Sequence, residues 1–347
     1  MSILDKIKKN STIKDSAILA KSKFFTEKDM IPTAIPAINI ALSGKLDGGL
    51  TPGLTMWAGP SKHFKTAFSL LMAKSYMEKY PDAALLFYDS EFGTPQSYFD
   101  TFGIDTNRVL HTPVTDIEQL KFDIMGQITN IERGDRVIIL VDSIGNLASK
   151  KEVEDALDGK SAADMTRAKQ VKSLFRMVTP HLSLKDIPMV VVNHTYKTME
   201  LYSKDVVGGG TGSYYSADNI FIIGRQQEKE GQEVIGYNFI INVEKSRYVK
   251  EKSKIPVTVS FTGGISKWSG LLDIALDSGH VVKPTNGWYS KVDLETGEVE
   301  DKKYRLKDTD NKDFWMPLLS QKSFREFIQN QYQVANANII QEEEEND

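Results

Sequence analysis

The chain has 347 residues, 40% hydrophobic and 26% charged, with 43 basic against 47 acidic side chains, a net charge of −4 and no cysteine. That length supports one large or two modest domains with a substantial core. Disulfides, thiolate metal sites and cysteine nucleophiles are excluded, no apolar run approaches the roughly 20 residues of a membrane span, and the first residues lack a signal-peptide layout, so a protein that is not secreted is expected.

Residues 1–30 carry seven lysines, with Ile3, Leu4, Ile7, Ile13, Ala17, Ile18 and Leu19 spaced as an amphipathic helix would place them. Such an arm packs either on its own domain or on a neighbouring subunit. An apolar stretch at 35–42 then leads through Gly44, Gly48, Gly49 and Gly53 to the strand-like run 54–58. The next residues are Gly59, Pro60, Ser61, Lys62, His63, Phe64, Lys65, Thr66 and Ala67. They read as a phosphate-binding loop, in which backbone N–H groups and a helix N-terminus surround the phosphates, the lysine reaches them and the hydroxyl holds Mg²⁺. Phe64 stands where the pattern has its second glycine, and a phenylalanine at positive φ would be strained. Read alone, the stretch also fits a surface turn that happens to contain Lys-Thr.

From 54 to 223 strand-like runs at 54–58, 83–88, 137–141, 189–193 and 219–223 alternate with helical patterns at 66–79, 115–133 and 162–182, the signature of βαβ units and a parallel sheet. Ligands of such sheets sit at the carboxyl ends of the strands. The second run ends in Tyr88-Asp89-Ser90-Glu91, the third in Val141-Asp142-Ser143 and the fourth in Asn193-His194. Asp142 after an apolar run has the Walker B arrangement for Mg²⁺, and Glu91 would reach the same crevice and orient a water. Two long connections, 150–161 and 195–216, leave the same edge, so a ligand bound there could sense the γ-phosphate through His194. Strands at 237–243 and 255–261 flank a cationic link with Lys245, Arg247, Lys250, Lys252 and Lys254 against Glu244 and Glu251. The link is either a solvated surface or a source of cations for phosphates at a subunit boundary. A short helix at 271–278, Gly287-Trp288-Tyr289-Ser290 and an aromatic-rich helix at 314–332 form a small C-terminal unit. Five carboxylates, Glu342, Glu343, Glu344, Glu345 and Asp347, follow position 330 with no Lys or Arg among them, a composition typical of disorder. The remaining body is close to neutral, so polyanion binding would need local basic loops.

The phosphate loop, Tyr88-Asp89-Ser90-Glu91, Leu140-Val141-Asp142-Ser143, Val192-Asn193-His194, the glycines at 208–212 and Gly287-Trp288-Tyr289-Ser290 together resemble the RecA-type recombinases, and among them the UvsX-type strand-exchange proteins of T-even-type bacteriophages. The resemblance runs nearly the whole chain. It implies an α/β RecA-like P-loop ATPase core with a mostly parallel sheet at 31–270, an N-terminal oligomerisation arm at 1–30, a small C-terminal domain at 271–332 and an acidic tail at 333–347. Phage members carry Phe at the second glycine, which makes Phe64 a family feature. ATP and Mg²⁺ are the implied cofactors, with Thr66 and Asp142 on the metal, Lys65 on the phosphates, Glu91 as catalytic carboxylate and Tyr98 stacking on adenine. His194 takes the place of a γ-phosphate-sensing glutamine. Lys245 and Arg247 match cations that reach the neighbour's ATP, and 150–165 and 195–216 correspond to the DNA-binding loops. The implied activity is a DNA-dependent ATPase that forms a helical filament on single-stranded DNA and exchanges strands with duplex DNA. Implied partners are a single-strand-binding protein and a recombination mediator, in the cytoplasm of an infected bacterial host and with no membrane role. A hexameric helicase shares this core, and a DNA-binding filament without turnover would share the loops.

Overall fold

The computed structural model describes residues 2–13, 15–24, 28–159, 165–198 and 205–334. The acidic tail from 335 onward, the centres of the two long loops at 160–164 and 199–204, and Phe25 lie outside them.

The chain opens with α1 (Ile3–Asn10), started by a capping box between Ser2 and Asp5. Ile3, Leu4 and Ile7 are 70, 55 and 60% exposed, so the apolar face of this helix is left largely uncovered among the described residues. The helix does not reach Leu19 as its spacing predicts. It stops at Ser11-Thr12, where short hydroxyl side chains compete for the backbone and no packing surface favours continuation. Then α2 (Pro36–Ser43), which starts on a proline and closes at Gly44 with φ 70, is almost wholly buried.

The core follows as β1 (Gly53–Ala58), α3 (Lys65–Lys79), β2 (Ala84–Asp89), α4 (Gln96–Phe102), β3 (Val109–Pro113), α5 (Ile117–Asn130) and β4 (Val137–Asp142). It continues through α6 (Lys150–Leu157), α7 (Thr166–Lys185) and β5 (Pro188–Asn193) to a small hairpin of β6 (Thr195–Lys197) and β7 (Asp205–Val207). After α8 (Thr211–Ser216) come β8 (Asn219–Glu230), β9 (Glu233–Lys245), β10 (Lys254–Ser260) and β11 (Gly264–Ile265). Nine strands form one sheet in the order β11-β10-β9-β8-β1-β5-β4-β2-β3. The strands from β8 to β3 run parallel, and β9, β10 and β11 extend the sheet antiparallel.

The central parallel strands are apolar throughout because both faces are covered. On β1, Trp57 enters a core with Phe68, Phe221 and Phe239, while Leu54, Met56 and Ala58 face the opposite way with Leu120 and Ile124 of α5 and Leu174 and Phe175 of α7. Two strands are longer than expected. β8 runs to Glu230 and β9 begins at Glu233, around Gly231 with φ 63; an exposed antiparallel hairpin is held by its backbone ladder, so its polar side chains resemble a loop in sequence.

Residues 271–334 add α9 (Leu271–Asp277), a three-stranded sheet of β12 (Val281–Thr285), β13 (Trp288–Lys291) and β14 (Tyr304–Arg305), then α10 (Lys312–Ser320) and α11 (Lys322–Tyr332). The predicted single helix at 314–332 is broken at Gln321, whose ψ of 130 is extended. The break lets Phe314, Trp315 and Leu318 of α10 and Phe324 and Ile328 of α11 enter the same core as Leu271, Ile274 and Trp57.

Phe64 lies at φ 60 and ψ 14, in the left-handed region. Its ring stacks on Phe239 of β9 at 5.0 Å and meets Phe68 of α3 edge-on at 5.9 Å. Aromatic packing thus offsets a backbone conformation that glycine would adopt freely. Substituting Phe64 by alanine should cost about 2–3 kcal/mol of unfolding free energy, because the packing goes and the strain stays. Glycine at the same position should be the less destabilising variant in urea titrations, despite removing one more carbon.

Candidate nucleotide and magnesium site

Register decides which side chains meet. Ala58 pairs with Asn193, and Asp89 pairs with Asp142. Gly59, Ser90-Glu91, Ser143 and His194, the residues that follow these four, therefore leave the sheet at one edge. A cavity of about 490 Å³ lies there, lined by Ser61 to Ala67, Glu91, Tyr98, Asp142 and His194.

Lys65 is 6% exposed, and its Nζ donates to the Pro60 carbonyl at 2.7 Å. Burial lowers its pKa, against the pull of Glu91 and Asp142. Thr66 Oγ1 donates to Asp142 Oδ2 at 2.6 Å, and Asp142 Oδ1 is buried without a partner. Burial first, and then the carboxylates of Glu91 and Asp89, push the Asp142 pKa up to about 6, although Thr66 and Lys65 pull it down. A buried carboxylate with one orphaned oxygen beside a threonine hydroxyl fits a hard cation. Mg²⁺ fits such a pair, since it takes few protein ligands and completes its shell with phosphates and water.

Glu91 Oε1 accepts from Ser143 Oγ at 2.6 Å and Asn146 Nδ2 at 3.1 Å, and lies 3.0 Å from His194 Nε2. The His194 bond is the largest cause that lowers its pKa, ahead of the opposing burial and the Ser143 bond. All these bonds fall on Oε1, so among the described residues Oε2 is left to the cavity. Gly59 and Pro60 form the wall of the loop, with the Gly59 N–H donating to the Asn193 carbonyl at 3.3 Å. Asn193 Nδ2 donates to the Gly208 carbonyl at 2.8 Å, and the Gly208 N–H to the His194 carbonyl at 2.9 Å, so the end of β5 is tied to the second long loop.

Lys245 and Arg247 do not join this cluster. Lys245 pairs with Ile220 across from the β1 start, where Thr55 meets Asn219. Its Nζ donates to the Tyr214 carbonyl at 2.7 Å, and Arg247 pairs with Asp218. Both therefore lie at the end of the sheet opposite Lys65. Several residues of the site were not singled out from the sequence. Asn146 reaches Glu91 from a segment without a chemical motif, and Phe239 of β9 and Phe261, which follows β10, line the cavity from distant parts of the chain. Arg225, over the Tyr237 ring at 4.6 Å and donating to the Lys62 carbonyl at 3.3 Å, also sat in a stretch that reads as a polar loop.

The Asp142 carboxyl keeps its proton to about pH 6 when folded, against an ordinary 3.8. Folding therefore takes up a proton between those values, and the burial penalty is absent below about pH 4 and complete above pH 6. Asp142→Asn should raise stability without nucleotide or metal by roughly 3 kcal/mol at pH 7 and by almost nothing at pH 3.5, in urea titrations at both pH values. In saturating Mg²⁺-nucleotide the order should reverse.

Comparison with known proteins agrees with this geometry. A family model described as the RecA N-terminal domain matches residues 2–266, and one described as the C-terminal domain of the bacteriophage T4 recombination and repair protein matches 268–328. The recombination and repair protein of Enterobacteria phage T4 is 56% identical over 330 residues, covering 94% of this chain and 84% of that protein. The RecA proteins of Symbiobacterium thermophilum and Syntrophus aciditrophicus are 25 and 27% identical, over 79 and 75% of this chain and 77 and 74% of their own lengths. With the phosphate loop, the Asp142 carboxylate and the Glu91 cluster at one edge of the sheet, this chain belongs to the RecA family, with the phage T4 recombination and repair protein among its near relatives.

Proposed function

We propose that the protein is a DNA-dependent ATPase that polymerises as a helical filament on single-stranded DNA and catalyses homologous pairing and strand exchange with duplex DNA. The observation that carries the reading is Glu91, aimed by three hydrogen bonds into the cavity that Lys65, Thr66 and Asp142 line.

Thr66 Oγ1 and Asp142 would hold Mg²⁺, which would supply charge neutralisation for the transferring phosphoryl group. Lys65 exchanges the Pro60 carbonyl for a phosphate oxygen. Glu91 Oε2 orients a water for in-line attack, while Oε1 keeps its protein donors. Tyr98 and Phe261, both lining the cavity, bound the space for the base. His194 joins Glu91 to the second loop, so DNA in that loop shifts the water-orienting carboxylate through one side chain.

Lys245 and Arg247 are too far around the sheet to serve their own chain's nucleotide, which supports a role on a neighbour's phosphates. The bare apolar face of α1 supports docking of the arm on that neighbour. The basic and glycine-rich loops hold DNA through its phosphates, with steep salt dependence and little sequence preference. A single-strand-binding protein and a mediator protein are the expected partners, in the cytoplasm of the infected host, without a membrane role. Neither family model favours a ring helicase, and Glu91 argues against a filament without turnover.

Subunits carrying Lys65→Ala should be inactive, as should subunits carrying Lys245→Ala with Arg247→Ala. Mixing the two should restore part of the single-stranded-DNA-stimulated phosphate release, because intact loops then face intact cations. No recovery at any mixing ratio would refute action in trans.

A further inference from the structure

The turn that carries Glu91 is held at two ends, and only one of them belongs to the machinery described above. Its carboxylate is gripped from β4 and β5 by Ser143, Asn146 and His194. Its main chain is gripped by Asp89, the last residue of β2. Asp89 Oδ1 accepts from the backbone N–H of Glu91 at 3.0 Å and of Phe92 at 2.8 Å. Phe92 has φ 53, a left-handed conformation that a non-glycine residue keeps only when its surroundings impose it. Ser90 is already anchored to β4, through its N–H to the Asp142 carbonyl at 2.9 Å and its Oγ to the Ser143 carbonyl at 2.6 Å. The freedom left in the turn is therefore at Glu91 and Phe92, where Asp89 acts.

Asp89 is itself oriented. It is 4% exposed, and its Oδ2 lies 3.3 Å from Nε2 of His111 on the edge strand β3. The imidazole stacks on Phe87 of β2 at 5.4 Å and 24°, which fixes its direction toward Asp89. The path from β3 to the hydrolytic carboxylate is thus His111, Asp89, the Glu91-Phe92 backbone, then Glu91 Oε2.

We propose that Asp89 and His111 are positioning residues for ATP hydrolysis: they fix the backbone from which Glu91 reaches the attacking water, His111 by orienting Asp89 and Asp89 by holding the turn. The inference rests on the reading of Glu91 as the group that orients the water. Near-attack geometry is sensitive to shifts of about 1 Å, which cost up to about 100-fold in rate. Loss of the clamp therefore lowers turnover and leaves nucleotide binding, which uses Lys65 and Thr66, in place.

The test is steady-state ATPase of the full-length protein on single-stranded DNA, with binding of a fluorescent ATP analogue and thermal melting measured alongside. Asp89→Ala should lower kcat by about 10- to 100-fold with KM for ATP and analogue affinity within about twofold. His111→Ala should lose several-fold in kcat. His111→Gln, whose amide nitrogen can donate where Nε2 does, should recover most of that loss. Should Asp89→Ala fail to fold, the two His111 variants decide alone. Unchanged kcat in His111→Ala, equal impairment of both His111 variants, or loss of analogue affinity in step with kcat overturns the proposal. Glu91→Gln at wild-type turnover would instead remove the water-orienting role itself, a failure distinct from that of the clamp.

Discussion

The hydrogen bond from Thr66 to Asp142 joins the two halves of the site. It links the first residues of α3 to the end of β4, two elements separated in the chain by β2, α4, β3 and α5 but brought to one edge by the parallel register. The bond satisfies one oxygen of a carboxylate that is almost completely buried and leaves the other without a partner. A carboxylate in that state is costly until a cation arrives. Lys65, Glu91 and His194 line the same cavity as this buried carboxylate.

The phosphate loop shows how the fold tolerates a departure from its usual sequence. A left-handed residue is needed between the loop and α3, and glycine meets that need through backbone freedom alone. Phe64 meets it through tertiary contacts, by stacking on Phe239 and touching Phe68. The loop thereby becomes dependent on β9, a strand of the antiparallel extension. The same extension supplies Tyr237, Phe239 and Val259 to the cavity wall, beside Arg225 of β8, so the cavity at this end of the sheet is finished by strands that lie outside the βαβ units.

The sheet also carries separate polar clusters at its two ends. At the carboxyl ends of the parallel strands lie the phosphate loop and the Glu91 cluster. Toward the opposite end, β9 closes at Lys245 and Arg247 follows it, held by the Tyr214 carbonyl and Asp218. A monomer built this way keeps these two cations out of the cluster around its own phosphate loop. Head-to-tail association of identical units yields open filaments when the rotation between copies does not close.

Much of this was legible in the chain itself. The parallel core, the phosphate loop, Asp142 at the end of its strand and Glu91 after β2 all follow from local patterns, since apolar runs ending in a carboxylate and Gly-rich turns before helices are set by neighbours a few residues apart. The tertiary structure decided the rest: the left-handed Phe64 and the ring that supports it, the Glu91 contacts with Asn146 and His194, the Asp89–His111 clamp, the break at Gln321 and the length of the β8–β9 hairpin. These depend on partners tens to hundreds of residues away or on exposed backbone ladders, and neither side-chain spacing nor composition encodes which distant strand becomes a neighbour. Sequence alone could name the side chains that gather in the candidate site, but only the register of the sheet determines which of them touch, because contact is set by strand order and not by distance along the chain.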